Sequence, residues 1–104
     1  MKWKRRPCEQ PGDYTFSGKL YITRGIIDAL PEEDIAEIVE DLRRVIREKG
    51  MVDYLQVYLN QVGGLPGKVW WIDNLSESRK RSRELSPAQI QDYDYSTILL
   101  PEEY

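Results

Sequence analysis

Residues 30–50 read LPEEDIAEIVEDLRRVIREKG, and this stretch decides the fold because it predicts one long amphipathic helix. Its apolar residues recur three and four positions apart, which gathers them on one side of a helix. They are Ile35, Ile38, Val39, Leu42, Val45 and Ile46. Pro31 suits the first helical position and Gly50 the position after the last turn, while acidic residues open the stretch and basic residues close it. Such a helix needs an apolar surface to cover.

Four segments outside the helix predict the strands of that surface: 19–23, 54–61, 68–73 and 93–101. They are rich in β-branched and aromatic residues, and the first two alternate between apolar and polar positions. Glycine-rich residues 63–67 separate the second strand from the third and predict a hairpin. In the second strand, alternation groups Leu55, Val57 and Leu59 on one face, which we expect to lie under the helix.

The sequence therefore predicts a single α+β domain over residues 14–104, with elements in the order β-α-β-β-β. One main amphipathic helix packs on a mostly antiparallel four-stranded sheet. Residues 1–13 predict a flexible basic arm, because four of the first six residues are Lys or Arg and helix-breaking residues follow. Residues 74–92 predict a long polar and basic loop that ends in a short helix over 87–91, capped by Ser86.

Composition limits the chemistry that this chain supports. Its 104 residues are enough for one small core, and its net charge is -3. The absence of His removes the commonest general base and metal ligand, and Cys8 has no second Cys with which to pair. The glycines at 63–67 connect two strands, whereas a phosphate-binding loop would open onto a helix. We therefore expect no enzyme activity, no cofactor, no metal site and no small-molecule substrate.

The sequence also predicts a cellular location. The basic start lacks the apolar run of a signal peptide, and no apolar stretch reaches the length of about 18 residues that a membrane helix needs. A single cysteine fits a reducing compartment. We expect a cytoplasmic protein that makes no membrane contact.

Two groups of residues are candidates for a binding site. Strand alternation places aromatic residues on the sheet face opposite the helix: Tyr21, Tyr54, Tyr58 and Trp70. The pattern leaves open which of the adjacent Trp70 and Trp71 is buried. The predicted loop carries a basic cluster made of Arg79, Lys80, Arg81 and Arg83. Both groups have residue types that are common in binding surfaces.

Three interpretations of the aromatic face remain open. Tyr, Trp and Arg anchor protein interfaces, which favours a non-enzymatic protein-interaction module that binds a protein partner or itself. The alternative is a single-stranded nucleic-acid-binding protein, in which the rings stack on bases and the basic cluster contacts phosphates. In the third, the arm or the loop folds over the face and the rings form a second small core. The net acidity counts against nucleic acid.

Several segments resemble, in the same order, the blocks of a family of small bacterial proteins, domain-of-unknown-function family 960, from Firmicutes and their mobile elements. The segments are YITRG (21–25), DYLQV (53–57), GKVW (67–70), ID (72–73) and YSTILLPEEY (95–104). The hairpin connection is shorter than that family leads us to expect, and the basic loop at 74–92 is an addition. The resemblance implies an α+β fold and a bacterial or phage source, and it implies no activity and no catalytic residues.

Overall fold

The structure, a computed structural model, describes residues 2–7 and 12–104. Within them lie five strands: β1 (Trp3–Arg5), β2 (Lys19–Ile22), β3 (Leu55–Asn60), β4 (Lys68–Asp73) and β5 (Tyr95–Leu99). The helices of these residues are α1 (Arg24–Ala29), α2 (Glu32–Lys49), α3 (Glu77–Arg81) and α4 (Pro87–Tyr93), and a 3₁₀ turn follows at Pro101–Glu103. The predicted single-domain α+β class is confirmed.

The predicted main helix is α2, which runs for 18 residues and is the longest element described. Pro31 lies just before its first turn, in extended conformation, and not at the first helical position. Gly50 ends the helix with a φ of 90°, a backbone conformation that favours glycine. Ile38 and Leu42 on the apolar side are fully buried. The short α1 is separate because Leu30 precedes a proline and is extended.

The five strands form one mixed sheet in the order β1-β3-β4-β5-β2. The pairs β1/β3, β3/β4 and β4/β5 are antiparallel, and β2/β5 is parallel. The β3/β4 hairpin follows the prediction, but the sheet has five strands where four were predicted. Both edge strands, β1 and β2, come from the first 22 residues of the chain.

The fifth strand comes from the predicted flexible arm, and the prediction is wrong for residues 3–5. Trp3 pairs with Asn60 of β3 and is only 1% exposed. Burial of the Trp3 side chain, its pairing with β3 and its hydrogen bonds to α2 together hold this segment to the domain. Tyr14 forms a β-bridge with Val52, so the chain is also held to the domain there. Residues 8–11, which the arm includes, lie outside the described residues.

The predicted orientation of β3 is also wrong. Tyr58 is fully buried in the core, and its hydroxyl donates to the Oδ2 atom of Asp41 on α2 at 3.0 Å. Residues 56, 58 and 60 therefore face α2, and residues 55, 57 and 59 face away from it. Alternation identifies two faces but not which one is covered, and the buried hydrogen bond between Tyr58 and Asp41 fits only this choice.

The region predicted as a loop, residues 74–92, contains two short helices. Ser76 caps α3 and Ser86 caps α4, each accepting a hydrogen bond from the backbone N–H three residues later. The predicted cap at Ser86 is confirmed, and Gln89 completes a capping box there. The helices lengthen the connection between the neighbouring strands β4 and β5.

The core lies between α2, α1 and one face of the sheet. Its buried residues are Trp3, Ile26, Leu30, Ile38, Leu42, Val45, Val52, Tyr58, Val69, Trp71 and Ile98. Among the two neighbouring tryptophans, Trp71 is therefore the buried one, and Trp70 lies on the opposite face. Over residues 2–7 and 12–104, no helix combines the length and the apolar character needed to cross a membrane.

Candidate functional site

The sheet face away from α2, here called the outer face, is the main candidate surface. Strand register places nine uncharged residues on it: Tyr21, Leu55, Val57, Leu59, Trp70, Ile72, Tyr95, Thr97 and Leu99. Val57 and Leu99 at its centre are buried by their neighbours, while Trp70 and Ile72 are half-buried. Tyr21 at one edge is 51% exposed. The face thus has an apolar centre and a partly exposed margin.

The aromatic rings of the outer face contact one another in pairs. Tyr21 and Tyr95 have ring centroids 5.5 Å apart in an edge-to-face arrangement. Trp70 meets Tyr104, which follows the 3₁₀ turn, at 5.8 Å in the same kind of arrangement. Tyr104 itself remains largely exposed. These rings present edges and sides to a partner, together with the aliphatic residues between them.

The charged residues that the strands place on the outer face are all basic. They are Lys4 of β1, Lys19 of β2 and Lys68 of β4. Arg6 follows β1, and its N–H donates to the carbonyl of Val57 at 2.8 Å, so alternation puts its side chain on this face too. We call these four residues the basic rim. All four are exposed, and none forms an ion pair with another residue that the structure describes.

The predicted aromatic residues separate into three environments. Tyr21 and Trp70 lie on the outer face, whereas Tyr58 lies in the core and cannot contact a partner. Burial raises the pKa of the Tyr58 hydroxyl, and the Asp41 carboxylate beside it raises it further. Tyr54 precedes β3 and packs against Tyr14, with ring centroids 6.1 Å apart. The structure therefore brings together two of the four predicted rings.

Lys80 of the predicted basic cluster is paired with two carboxylates. Lys80 lies 3.1 Å from a carboxylate oxygen of Glu77 and 3.0 Å from one of Asp94. Burial alone would lower the pKa of Lys80, but these two carboxylates raise it above its ordinary value.

Two arginines of the cluster also have partners among the described residues. Arg79 pairs with Glu84 at 3.8 Å, and Arg81 donates to the carbonyl of Glu77 at 3.4 Å. Arg83 is exposed. The cluster belongs to α3 and the turn after it, and no strand of the outer face contributes to it. It is therefore a weaker candidate for contact with phosphates than the sequence suggests.

Sequence reasoning missed the basic rim. Lys4 and Arg6 fall in the segment predicted as an arm, and Lys19 and Lys68 begin strands. The available signal was alternation, since Lys19 and Tyr21 must share a face, as must Lys68 and Trp70. The pairing of β1 with β3 was not visible, because three residues give no periodicity.

A buried carboxylate lies on the helix side of the sheet. Asp73 at the end of β4 is buried, and its Oδ2 atom accepts the backbone N–H of Phe16 at 3.0 Å. Phe16 has a φ of 52°, the left-handed conformation, and packs its ring on Trp71. Burial raises the pKa of Asp73, and the Phe16 N–H only partly offsets that effect. Asp73 holds the 15–18 segment in place.

We expect Asp73→Asn to raise the free energy of unfolding at pH 7. Because the folded pKa of Asp73 is raised, the folded state binds a proton more readily than the unfolded chain. Stability contributed by this group is therefore present at low pH and lost as pH rises from about the ordinary value of 3.8 through the raised pKa. Asparagine keeps an acceptor for Phe16 and removes the charge. Urea unfolding of both proteins between pH 4 and pH 8 measures the effect.

Three other carboxylates change stability with pH in the opposite direction and are the same in both proteins. Asp13, Asp34 and Glu103 accept hydrogen bonds that lower their pKa values, so their stabilisation is lost as pH falls. They are present in both proteins, so their contributions cancel in the difference between the unfolding free energies of wild type and Asp73→Asn. If the two proteins lose stability in parallel over this pH range, Asp73 does not titrate as described.

No described residues form a group of three or more carboxylate or cysteine side chains arranged to hold a metal ion. A comparison of the chain with protein-family models, curated proteins and solved structures found no match. The resemblance to domain-of-unknown-function family 960 stays a prediction.

Proposed function

We propose that this chain is a non-enzymatic protein-interaction module that binds a partner through the outer face. The observation that carries the proposal is an apolar centre surrounded by basic residues that have no ion-pair partner among the described residues. The resemblance adds a bacterial or mobile-element origin to the proposal. The single cysteine adds a reducing, cytoplasmic setting.

The layout of the outer face matches the usual anatomy of a protein interface. Such interfaces have an apolar, desolvated centre and a polar rim, and their strongest contacts come from Trp, Tyr and Arg. Trp70 lies beside Val57 and Leu99 in the register of the sheet, so it occupies the centre. A half-buried Trp in that position can pack against a partner without first becoming ordered.

Single-stranded nucleic acid is the second candidate, and the basic rim favours it. Against it stand the five aliphatic residues of the face and the pairing of its rings, because bases stack on open ring faces. Trp fluorescence tests this candidate directly, since Trp3 and Trp71 are buried and Trp70 is the half-exposed indole. A saturable, salt-sensitive change on titration with short single-stranded oligonucleotides would favour nucleic acid over protein.

We expect Trp70→Ala to weaken partner binding by about 2 kcal/mol, or roughly 30-fold in Kd, the size of an interface hot spot. The measurement is capture of partners from a lysate of the source cells, followed by titration of the captured protein. The matched control is Ile27→Ala, an exposed apolar residue of α1 outside the outer face. Equal binding by wild type and Trp70→Ala would remove the outer face from the proposal.

A further inference from the structure

We infer that the partner presents an acidic amphipathic helix to the outer face. This inference rests on the function proposed above and names the chemistry of the partner. It follows from the charge of the basic rim, from the arrangement of the face and from its size.

The charge of the rim selects an acidic partner. Lys4, Lys19, Lys68 and Arg6 are exposed and have no carboxylate partner among the described residues, although the whole chain has a net charge of -3. The acidic first turn of α2 belongs to the element on the other side of the sheet. Complementary charges speed association and exclude wrong partners, so carboxylates are the groups that this rim would recognise.

The same rim argues against a second copy of this chain as the occupant. A two-fold dimer places the same surface patch of each copy against the other. The outer face of one protomer would then bring its lysines close to those of its partner. Like charges across an interface are costly, and the strands of this face offer no carboxylate to relieve them.

The arrangement of the rim follows the register of the sheet. Lys4 and Lys68 both lie opposite Leu59, one on each side of it. Strands are about 4.8 Å apart, so these two lysines flank an apolar position across about 10 Å. Lys19 lies opposite Tyr95 at the other end of the face. A helix with apolar residues in a stripe and carboxylates on both flanks matches this pattern.

The size of the face suits one helix. Five strands spaced about 4.8 Å apart span about 19 Å, and the three outer-face residues of β3, about 6.7 Å apart, span about 13 Å along the strand, so the face measures roughly 19 Å by 13 Å. A helix of about 13 residues spans 20 Å and is about 10 Å wide. An open groove of about 510 Å³ adjoins one end of the face; most of its lining is apolar, including Leu65 and Pro66, and it also contains Lys68 and the carboxylate of Glu102. Apolar side chains at the end of a bound helix can pack into this groove.

The test uses two synthetic peptides of 16 residues on the intact protein. Both place Leu and Phe three and four positions apart, and one carries Glu on the flanks where the other carries Lys. We expect fluorescence anisotropy to show that the Glu peptide binds about tenfold or more tightly than the Lys peptide at low salt. The preference should shrink at high salt, because exposed charges are screened. Equal binding of the two peptides, or binding of neither, would overturn the inference.

Charge reversal in the basic rim tests whether these residues cause the preference for the Glu peptide. The double variant Lys4→Glu/Lys68→Glu should lose the preference for the Glu peptide and gain affinity for the Lys peptide. The control Arg43→Glu/Lys49→Glu makes the same change in net charge at exposed positions of α2, on the other side of the sheet. Circular dichroism verifies that each variant folds. The comparison of the two peptides on wild-type protein does not depend on the variants.

Other occupants give distinct outcomes. Tighter binding of single-stranded oligonucleotides or of phosphatidylserine vesicles than of the Glu peptide would overturn the inference, as would a dimer in sedimentation that Trp70→Ala dissolves. Failure of the proposed function is separable from failure of the inference. Loss of a captured partner with Trp70→Ala, combined with no preference between the peptides, keeps the outer face as the interface and rejects the acidic helix.

Discussion

Trp3→Ala is expected to lower the free energy of unfolding by about 3–5 kcal/mol, the range for truncating a large aromatic residue in a core. Trp3 is 1% exposed, and its Nε1 donates to the Oδ2 atom of Asp34 at 3.2 Å. Its backbone N–H donates to Glu37 at 2.8 Å, so β1 is held to α2 as well as to β3. Removing the indole leaves a cavity between these elements. Urea unfolding followed by circular dichroism measures the loss.

The matched control is Lys4→Ala, the next residue of β1, whose exposed side chain lies on the outer face. That change should alter stability by no more than about 0.5 kcal/mol. Trp3→Phe separates packing from hydrogen bonding, because it keeps most of the ring and leaves the buried Asp34 carboxylate with one donor fewer. If Trp3→Ala lowers the free energy of unfolding by less than about 1 kcal/mol, β1 is not docked as the structure describes, and the predicted flexible arm is the better description.

Tyr58→Ala is the second large effect, with an expected loss of about 3–5 kcal/mol of unfolding free energy. Tyr58 is fully buried under α2, and its hydroxyl donates to Asp41. Tyr58→Phe should cost about 1–3 kcal/mol, because the buried Asp41 carboxylate loses one donor and, among the described residues, keeps Arg44, at 2.8 Å. Chemical denaturation of the two variants separates the ring from the hydroxyl.

Tyr54→Ala is the control for Tyr58, since Tyr54 is 45% exposed and lies just before the same strand. Tyr54→Ala should lower the free energy of unfolding by much less than Tyr58→Ala does. A double-mutant cycle of Tyr58→Phe with Asp41→Asn isolates the coupling between the two groups. Wild-type stability of Tyr58→Ala together with lost partner binding would place Tyr58 on the binding surface, as the sequence predicts, and would contradict the structure.

The extent of α2 could be predicted because its signals are local. The apolar spacing, Pro31 and Gly50 all lie within one continuous stretch, and each acts through neighbours one or two turns away. The cap at Ser86 has the same local origin. Pairing between strands depends on residues distant in sequence, so β1 and the parallel pairing of β2 with β5 leave no comparable signal.

The orientation of β3 shows where alternation stops being informative. Residues 55, 57 and 59 are aliphatic, so burial under the helix is the natural expectation for them. In the structure, Gln56 and Tyr58 occupy that side because their polar atoms find partners there: Tyr58 bonds to Asp41 and Gln56 to Arg5. The aliphatic residues then form the outer face.

For the candidate site too, local sequence signals could be interpreted, whereas contacts between distant residues could not. Alternation places Tyr21 on the face opposite Leu20 and Ile22. The pattern at 68–73 leaves open whether Trp70 or Trp71 faces the core, and only the structure places Trp70 on the outer face. The importance of the cluster at 79–83 could not be judged, because the acidic partners Glu77 and Asp94 are brought to Lys80 only by folding. The basic rim needed the full strand order, which depends on contacts between distant residues.

The position of β1 and β2 at the two edges of the sheet has a consequence for synthesis. Lys19 pairs with Tyr95, which a ribosome adds about 76 residues later, or about 4–15 s at ordinary elongation rates. During that interval β2 has no strand beside it, and the apolar side of α2 has an incomplete sheet to cover. Docking of β2 is therefore delayed until β5 has been made, while β1, β3 and β4 can already pair beneath α2.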